Sequence, residues 1–217
     1  MAVRKGKIKG LPKKKKGQWE DHYTRKAKEE KYPARSVYKL QEIQRKFTLV
    51  KKGAKVLDLG CSPGSWLLYA SELTGPSGQV TGIDLKEVSI PLPKHAKALV
   101  GDILHLTPEL EEAFSCGFSV VISDMAPATT GMKDVDAARS LELCEMALEV
   151  AAKRLVSGGH FVCKIFQGGD FDAYVGEVKK HFRQVKIFKP ESCRKQSKEI
   201  YVIGVGLKVT GDPHSSI

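Results

Sequence analysis

The 217-residue sequence contains no apolar run that approaches the roughly 18 residues needed for a membrane-spanning helix. No apolar stretch follows its basic N-terminal segment, so we expect a cytoplasmic protein with no secretory signal and no membrane partner. The five cysteines form no C-x-x-C pair, and the six histidines show no H-x-x-x-H spacing. We therefore expect reduced thiols and no metal site.

Acidic residues are scarce in the first quarter of the chain. Residues 1–52 hold 18 Lys/Arg and only 5 Asp/Glu, whereas residues 53–217 hold 18 and 20. The formal net charge of +11 therefore arises entirely from the N-terminal segment. Positive charge concentrated in this way favours a polyanionic partner, above all nucleic acid.

The basic segment divides into two parts. Residues 1–17 include the run Lys13–Lys16 and lack the apolar side chains needed to fold, so we predict a disordered tail that contacts RNA. A solubilising or localisation role is the alternative. Residues 18–52 are predicted to form a helical RNA-binding extension. Its aromatic residues, such as Trp19 and Tyr23, could stack on bases or anchor the extension to the domain.

Strand-like and helix-like segments alternate along residues 53–208, followed by a tail at 209–217 that we expect to be frayed. This alternation predicts an α/β domain whose mostly parallel sheet carries helices on both faces. The predicted strands cover 55–59, 79–84, 97–101, 118–124, 159–166, 184–188 and 199–207. The predicted helices cover 36–47, 65–73, 107–114, 136–155 and 171–181.

The helix predicted at 36–47 begins at Ser36, a candidate N-cap residue. Val37, Leu40 and Ile43 follow at helical spacing, which predicts one face packed on the core. Lys39 lies off this apolar face, where it would ordinarily be one more surface lysine.

A glycine-bracketed turn follows the short apolar strand that ends at Leu59. Gly60 and Gly64 allow the backbone to approach a ligand closely, and a helix begins just after them. The G-x-x-x-G spacing behind Asp58 differs from the G-x-G-x-x-G of dinucleotide folds and is typical of S-adenosylmethionine (SAM) methyltransferases. An ordinary strand-to-helix turn is the alternative for this pattern taken alone.

Three aspartates fall at the ends of successive predicted strands, at the edge where open α/β sheets bind ligands. Asp84 could accept both ribose hydroxyls of an adenosine, and Asp102 could accept the exocyclic amine of adenine. Asp124 leads into the segment Met125–Pro127. A single such aspartate could simply cap a helix, but three after a glycine turn indicate SAM binding.

Five segments, taken in order, closely resemble the FtsJ/RrmJ (RlmE) family of ribosomal RNA 2′-O-methyltransferases. They lie at residues 34–40, 57–66, 123–127, 163–168 and 197–201. The resemblance covers roughly residues 18–208 and implies a Rossmann-like methyltransferase fold, with seven strands and one antiparallel strand. Family members often have Ala-Ala-Pro-Gly-Gly where this chain has Cys-Ser-Pro-Gly-Ser at 61–65, a mild departure.

The family resemblance also implies the functional residues. The catalytic tetrad falls on Lys39, Asp124, Lys164 and Glu199. The SAM contacts fall on Gly60, Gly64, Trp66, Asp84, Asp102 and Asp124. Lys164 could serve as the general base or could stabilise the developing alkoxide, and the sequence leaves both roles open.

The implied activity is SAM-dependent methylation of a ribose 2′-oxygen, at a uridine in the A-loop of 23S rRNA on the large ribosomal subunit. We expect a monomer. The alternatives are a tRNA or mRNA-cap 2′-O-methyltransferase, and a non-enzymatic ribosome assembly factor that retains a SAM fold. A nicotinamide oxidoreductase is disfavoured because the sequence lacks G-x-G-x-x-G.

Overall fold

The structure, a computed structural model, describes residues 22–115, 117–194 and 196–208. The tails predicted at 1–17 and 209–217 lie outside these residues, as does the start of the extension. The elements follow the predicted alternation: α1 (His22–Glu29), α2 (Val37–Phe47), β1 (Lys55–Leu59), α3 (Ser65–Thr74), β2 (Gln79–Asp84), β3 (Ala96–Val100), α4 (Pro108–Ala113), β4 (Phe118–Ser123), α5 (Lys133–Arg154), β5 (Leu155–Phe166), α6 (Phe171–His181), β6 (Phe182–Phe188) and β7 (Glu199–Leu207).

The seven strands form one sheet in the order β3-β2-β1-β4-β5-β7-β6. Strand β7 runs antiparallel to both of its neighbours, and all other pairings are parallel. The predicted α/β class and the single antiparallel strand are therefore confirmed. Because β7 is reversed, its first residue Glu199 lies beside Phe166, at the edge where the parallel strands end.

Both faces of the sheet are buried, which explains why its central strands are almost continuously apolar. Leu57 and Leu59 of β1 belong to the core on the side of α5 and α6. Val56, one position away, belongs to the core on the side of α2 and α3. Among the described residues, no helix is long and apolar enough to cross a membrane.

Strand β5 begins at Leu155, directly after α5, whereas the sequence predicts its start at residue 159. Leu155 pairs with Phe118, and the register with β4 then shifts before Val120 pairs with His160. Gly158 has a positive φ of 76° inside this irregular stretch. Pairing with β4 extends the strand to Leu155, four residues before the predicted start.

Ser36 precedes α2 as expected, but its side chain makes no capping hydrogen bond. Its carbonyl oxygen instead accepts the indole N–H of Trp66 at 2.8 Å. The predicted capping role is thus wrong, and the residue serves to hold α2 against α3. The apolar face predicted for α2 is confirmed, since Val37, Leu40 and Ile43 are buried.

Candidate active site at the carboxyl edge of the sheet

The structure brings Lys39, Asp124, Lys164 and Glu199 together at one edge of the sheet, and we call this group the charged cluster. Lys39 Nζ lies 2.7 Å from Glu199 Oε2 and 3.8 Å from Asp124 Oδ1. Lys164 Nζ lies 3.0 Å from the same Asp124 oxygen and also donates to the backbone carbonyl of Asp124. Asp124 therefore links the two lysines.

The cluster is formed by elements that are distant in sequence. Lys164 lies in β5 opposite Tyr201 of β7, so both side chains are on the sheet face covered by α2 and α3. Lys39 reaches the same place from α2. Its side chain is only 12% exposed, so the reading of Lys39 as an ordinary surface lysine is wrong.

The charges in the cluster stabilise one another. Burial alone would raise the pKa of Asp124, but the ammonium groups of Lys164 and Lys39 and the Tyr201 hydroxyl outweigh burial and hold this pKa below its usual value. Burial would lower the pKa of Lys39, but the charges of Asp124 and Glu199 outweigh it and raise this pKa. The cluster thus holds an ionised carboxylate and a firmly protonated Lys39.

Tyr201 is a site residue that the sequence analysis did not single out. Its hydroxyl donates to Asp124 Oδ1 at 2.6 Å, and its ring stacks on Trp66 with centroids 5.8 Å apart. The side chain is fully buried. Burial, with the charge of Asp124 beside it, raises the pKa of Tyr201 well above its usual value, so the phenol remains a donor. The sequence signal that could have identified Tyr201 is its position two residues after Glu199, on the same face of the strand.

The glycine turn packs closely against neighbouring segments. Gly60 has a φ of +75°, and a Cβ there would lie 2.4 Å from the side chain of Met125. Gly64 has a φ of +108°, and a Cβ would lie 2.8 Å from Val88 and Ile90. Any side chain at either position would clash with the loops that follow β2 and β4.

Two residues after the turn hold the segment that leads into α2. Ser65 Oγ accepts the N–H of Ala34 at 2.8 Å and donates to the carbonyl of Ala34 at 3.1 Å. Trp66, predicted as a cofactor contact, is only 3% exposed, and its indole N–H is used by Ser36. Its indole ring therefore joins α2 to the sheet, and a ligand contact would have to come from its backbone N–H at the start of α3.

Two of the strand-end aspartates, Asp84 and Asp102, accept hydrogen bonds in the loops that follow β2 and β3. Asp84 Oδ2 accepts the N–H of Ser62, and Oδ1 accepts the N–H of Lys86, both at 2.9 Å. Asp102 is more exposed; hydrogen bonds from the Leu104 N–H and the His105 ring lower the pKa of this carboxyl. Asp84 thus connects the end of β2 to the glycine turn, whereas Asp102 orders its own loop.

Asp58 of β1 is a second candidate site residue; the sequence analysis named it as the residue before the glycine turn but gave it no role. It is 1% exposed, and neither carboxylate oxygen has a hydrogen-bond partner among the described residues. Burial and the charges of Asp124 and Asp84 raise the pKa of Asp58 well above its usual value. A buried acid that lacks hydrogen-bond partners and has a raised pKa suits a ligand that brings positive charge and N–H donors.

The sheet order, the glycine turn after β1 and the charged cluster at the carboxyl edge together define a methyltransferase. The FtsJ-like methyltransferase family model matches residues 32–207. The chain therefore belongs to this family and is an enzyme.

The relatives that carry the name ribosomal RNA large subunit methyltransferase E include proteins from two bacteria. The protein from Desulforapulum autotrophicum is 61% identical over 93% of this chain and 100% of its own length. The protein from Desulfatibacillum aliphaticivorans is 55% identical over 88% of this chain and 93% of its own. A solved structure from Plasmodium falciparum, named provisionally as a ribosomal RNA methyltransferase, has a TM-score of 0.71 at 27% identity and covers 81% of this chain and 98% of its own.

Proposed function

We propose that the enzyme transfers the methyl group of SAM to a ribose 2′-oxygen of ribosomal RNA. The observation that carries this proposal is the charged cluster, in which the buried Lys164 and the largely buried Lys39 share one carboxylate at the carboxyl edge of the sheet. The names of the relatives point to the same class of substrate. The four cluster residues are the proposed catalytic residues.

The residues around the glycine turn suit SAM. Asp58 offers a buried carboxyl group without a hydrogen-bond partner among the described residues to the ammonium group of SAM. The positive φ angles of Gly60 and Gly64 form the tight turn that follows β1. Asp84 and Asp102 would accept the ribose hydroxyls and the adenine amine. When bound, SAM supplies an electrophilic methyl group, and the protein supplies placement and proton handling.

In this proposal, Lys164 handles the proton that the ribose hydroxyl loses as its oxygen accepts the methyl group. Lys164 Nζ can make three hydrogen bonds, and two of these go to Asp124, one to its carboxylate and one to its backbone carbonyl. The third hydrogen-bonding position of Nζ would face the ribose 2′-oxygen. A neutral Lys164 would accept the proton there, and a charged Lys164 would stabilise the developing alkoxide.

The remaining cluster residues hold Lys164 and the ribose in place. Asp124 is itself fixed by the Tyr201 hydroxyl and by Lys39, so the orientation of Lys164 is set before the substrate arrives. Glu199 pairs with Lys39 at 2.7 Å. Such a preorganised charged network avoids the cost of reorienting dipoles during the reaction.

We propose a uridine in the A-loop of 23S rRNA, on the large ribosomal subunit, as the acceptor. Transfer of tritium from labelled SAM to large subunits, to free ribosomal RNA and to tRNA, followed by mapping of the modified nucleotide, tests this. The proposal expects one 2′-O-methyluridine in 23S rRNA. Label in tRNA alone would establish the tRNA alternative, and no label in any RNA would overturn the function.

Substitution of Asp84 by alanine is expected to weaken SAM binding by about 1.5–3 kcal/mol, because charged hydrogen bonds to the ribose are lost. Titration calorimetry measures this effect. Thermal unfolding without ligand is the control, since Asp84 also accepts the N–H groups of Ser62 and Lys86. A folded variant with wild-type affinity would remove Asp84 from the cofactor site.

Deletion of residues 1–17 removes eight Lys/Arg. We expect RNA affinity to fall and its dependence on salt to become shallower, while SAM affinity stays unchanged. Fluorescence anisotropy with labelled RNA over a series of salt concentrations measures both. An unchanged salt slope would show that the tail does not contact RNA.

A further inference from the structure

We propose that a groove beside the charged cluster holds a single-stranded RNA segment next to the acceptor nucleotide. The groove lies between α1, α2 and the start of the β6–β7 connection and has a volume of about 550 Å³. We call it the α2 groove; the lining residues that matter here are Tyr23, Lys26, Arg45, Lys46, Phe188 and Lys189. This inference rests on the proposed function and adds the path of the substrate strand.

The α2 groove is joined to the active site through one helix. Lys39 of the charged cluster and Lys46 of the groove are seven residues apart in α2, which places them on the same face about 10 Å apart along the axis. Glu42 lies between them on this face. An RNA strand whose ribose sits at Lys39 would therefore continue past Glu42 to Lys46.

The charge of the α2 groove suits a polyanion. Its lining contains four Lys/Arg and two glutamates. One of these, Glu42, is already used, because its two oxygens accept the N–H groups of Glu191 and Ser192 at 2.6 and 2.9 Å. Arg45 and Lys46 are exposed, and neither pairs with a carboxylate in the part of the chain that the structure describes.

Aromatic rings accompany these cations. The Phe188 ring is only partly buried; Lys46 Nζ lies 4.5 Å from its centroid, and Phe47 packs edge-to-face against it at 5.6 Å. Tyr23, also partly exposed, lies 5.3 Å from the guanidinium of Arg35. Ring faces beside cations allow bases to stack while the cations reach phosphates. An acidic protein segment would use the cations but not the rings, so the combination favours RNA.

The wall of the α2 groove is fixed relative to the active site. Glu42 holds the backbone of residues 191–192, and Arg35 donates to the carbonyl of Ser192. The same β6–β7 connection leads to Glu199, the partner of Lys39. A strand bound in the groove would thus approach the charged cluster from a set direction.

The test measures binding of full-length variants to a single-stranded RNA oligonucleotide and to large subunits that lack the modification. Phe188→Leu keeps an apolar side chain but loses the ring, and we expect about fivefold weaker binding to both, with an unchanged salt slope. Phe188→Tyr keeps the ring and should bind like the wild type. Lys46→Ala should weaken binding and reduce the salt slope by about 0.7.

Ile187 and Lys153 have exposed side chains outside the α2 groove, and their alanine variants serve as matched controls. Ile187→Ala controls for the loss of apolar surface, and Lys153→Ala controls for the loss of a positive charge. Neither should alter binding. Normal RNA binding by the groove variants would overturn the inference, and weaker binding to subunits alone would indicate a protein partner instead. Failure of the wild type to methylate any RNA would refute the proposed function rather than the groove.

Discussion

Replacement of Lys164 by alanine is expected to slow methyl transfer by about 100-fold or more, the usual effect of losing an acid–base group. The side chain is only 5% exposed and contacts Asp124, so it contributes little to the basic surface that would meet RNA. SAM and RNA affinities should therefore change by less than about threefold. Single-turnover kinetics with labelled SAM, together with separate binding measurements, distinguish the chemical step from binding.

Two further variants at this position refine the result. Lys164→Arg should not restore activity, because a guanidinium does not give up its proton near neutral pH and its planar shape differs from that of an ammonium. Lys164→Met fills the space without charge and should be as slow as alanine. Methylation at close to the wild-type rate by folded Lys164→Ala would refute the catalytic assignment of this lysine.

Substitution of Asp124 by alanine should cost both activity and stability. Asp124 is the carboxylate that pairs with Lys164 among the described residues, so its loss leaves a buried ammonium without a counter-ion. We expect the free energy of unfolding in urea to fall by about 3 kcal/mol or more. Methyl transfer should fall by about 100-fold or more, because Lys164 loses the group that orients it.

A double variant separates charge from packing. Asp124→Ala with Lys164→Met should regain part of the lost stability, since no buried cation remains unpaired, but it should stay inactive. Stability no higher than that of Asp124→Ala alone would show that the ion pair is not the cause.

The pH dependence of stability gives an independent check on Asp124. Its pKa is lowered in the folded protein by the neighbouring lysines and Tyr201, despite burial. The stability advantage of the wild type over Asp124→Asn should therefore be fully present above about pH 4. It should be lost as the pH falls through the lower folded pKa. An advantage that does not change between pH 7 and pH 3 would contradict this assignment.

The sequence by itself determined the class of fold, and its resemblance to a known family predicted most of the candidate site. The alternation of strands and helices is visible in local patterns, because strands buried on both faces must be apolar. The reversed last strand was expected only from the family resemblance, since no local pattern records the direction of a strand. Tertiary pairing overrides the local signals at some strand boundaries, as at Leu155, which pairs with Phe118. The glycine turn and the strand-end aspartates were found because each lies within a short segment of chain.

Only the tertiary structure decided which side chains meet. Ser65 and Trp66, just after the glycine turn, hold the backbone of Ala34 and Ser36, and this places Lys39 of α2 at the sheet edge. Tyr201 and Asp58 are candidate site residues because they are buried near Asp124. The periodicity of apolar residues in the sequence does not reveal this proximity. The physical reason is that a sequence pattern reflects the local structure of one chain segment and not its contacts with distant segments. The charges and hydrogen bonds of this site join residues up to 160 positions apart.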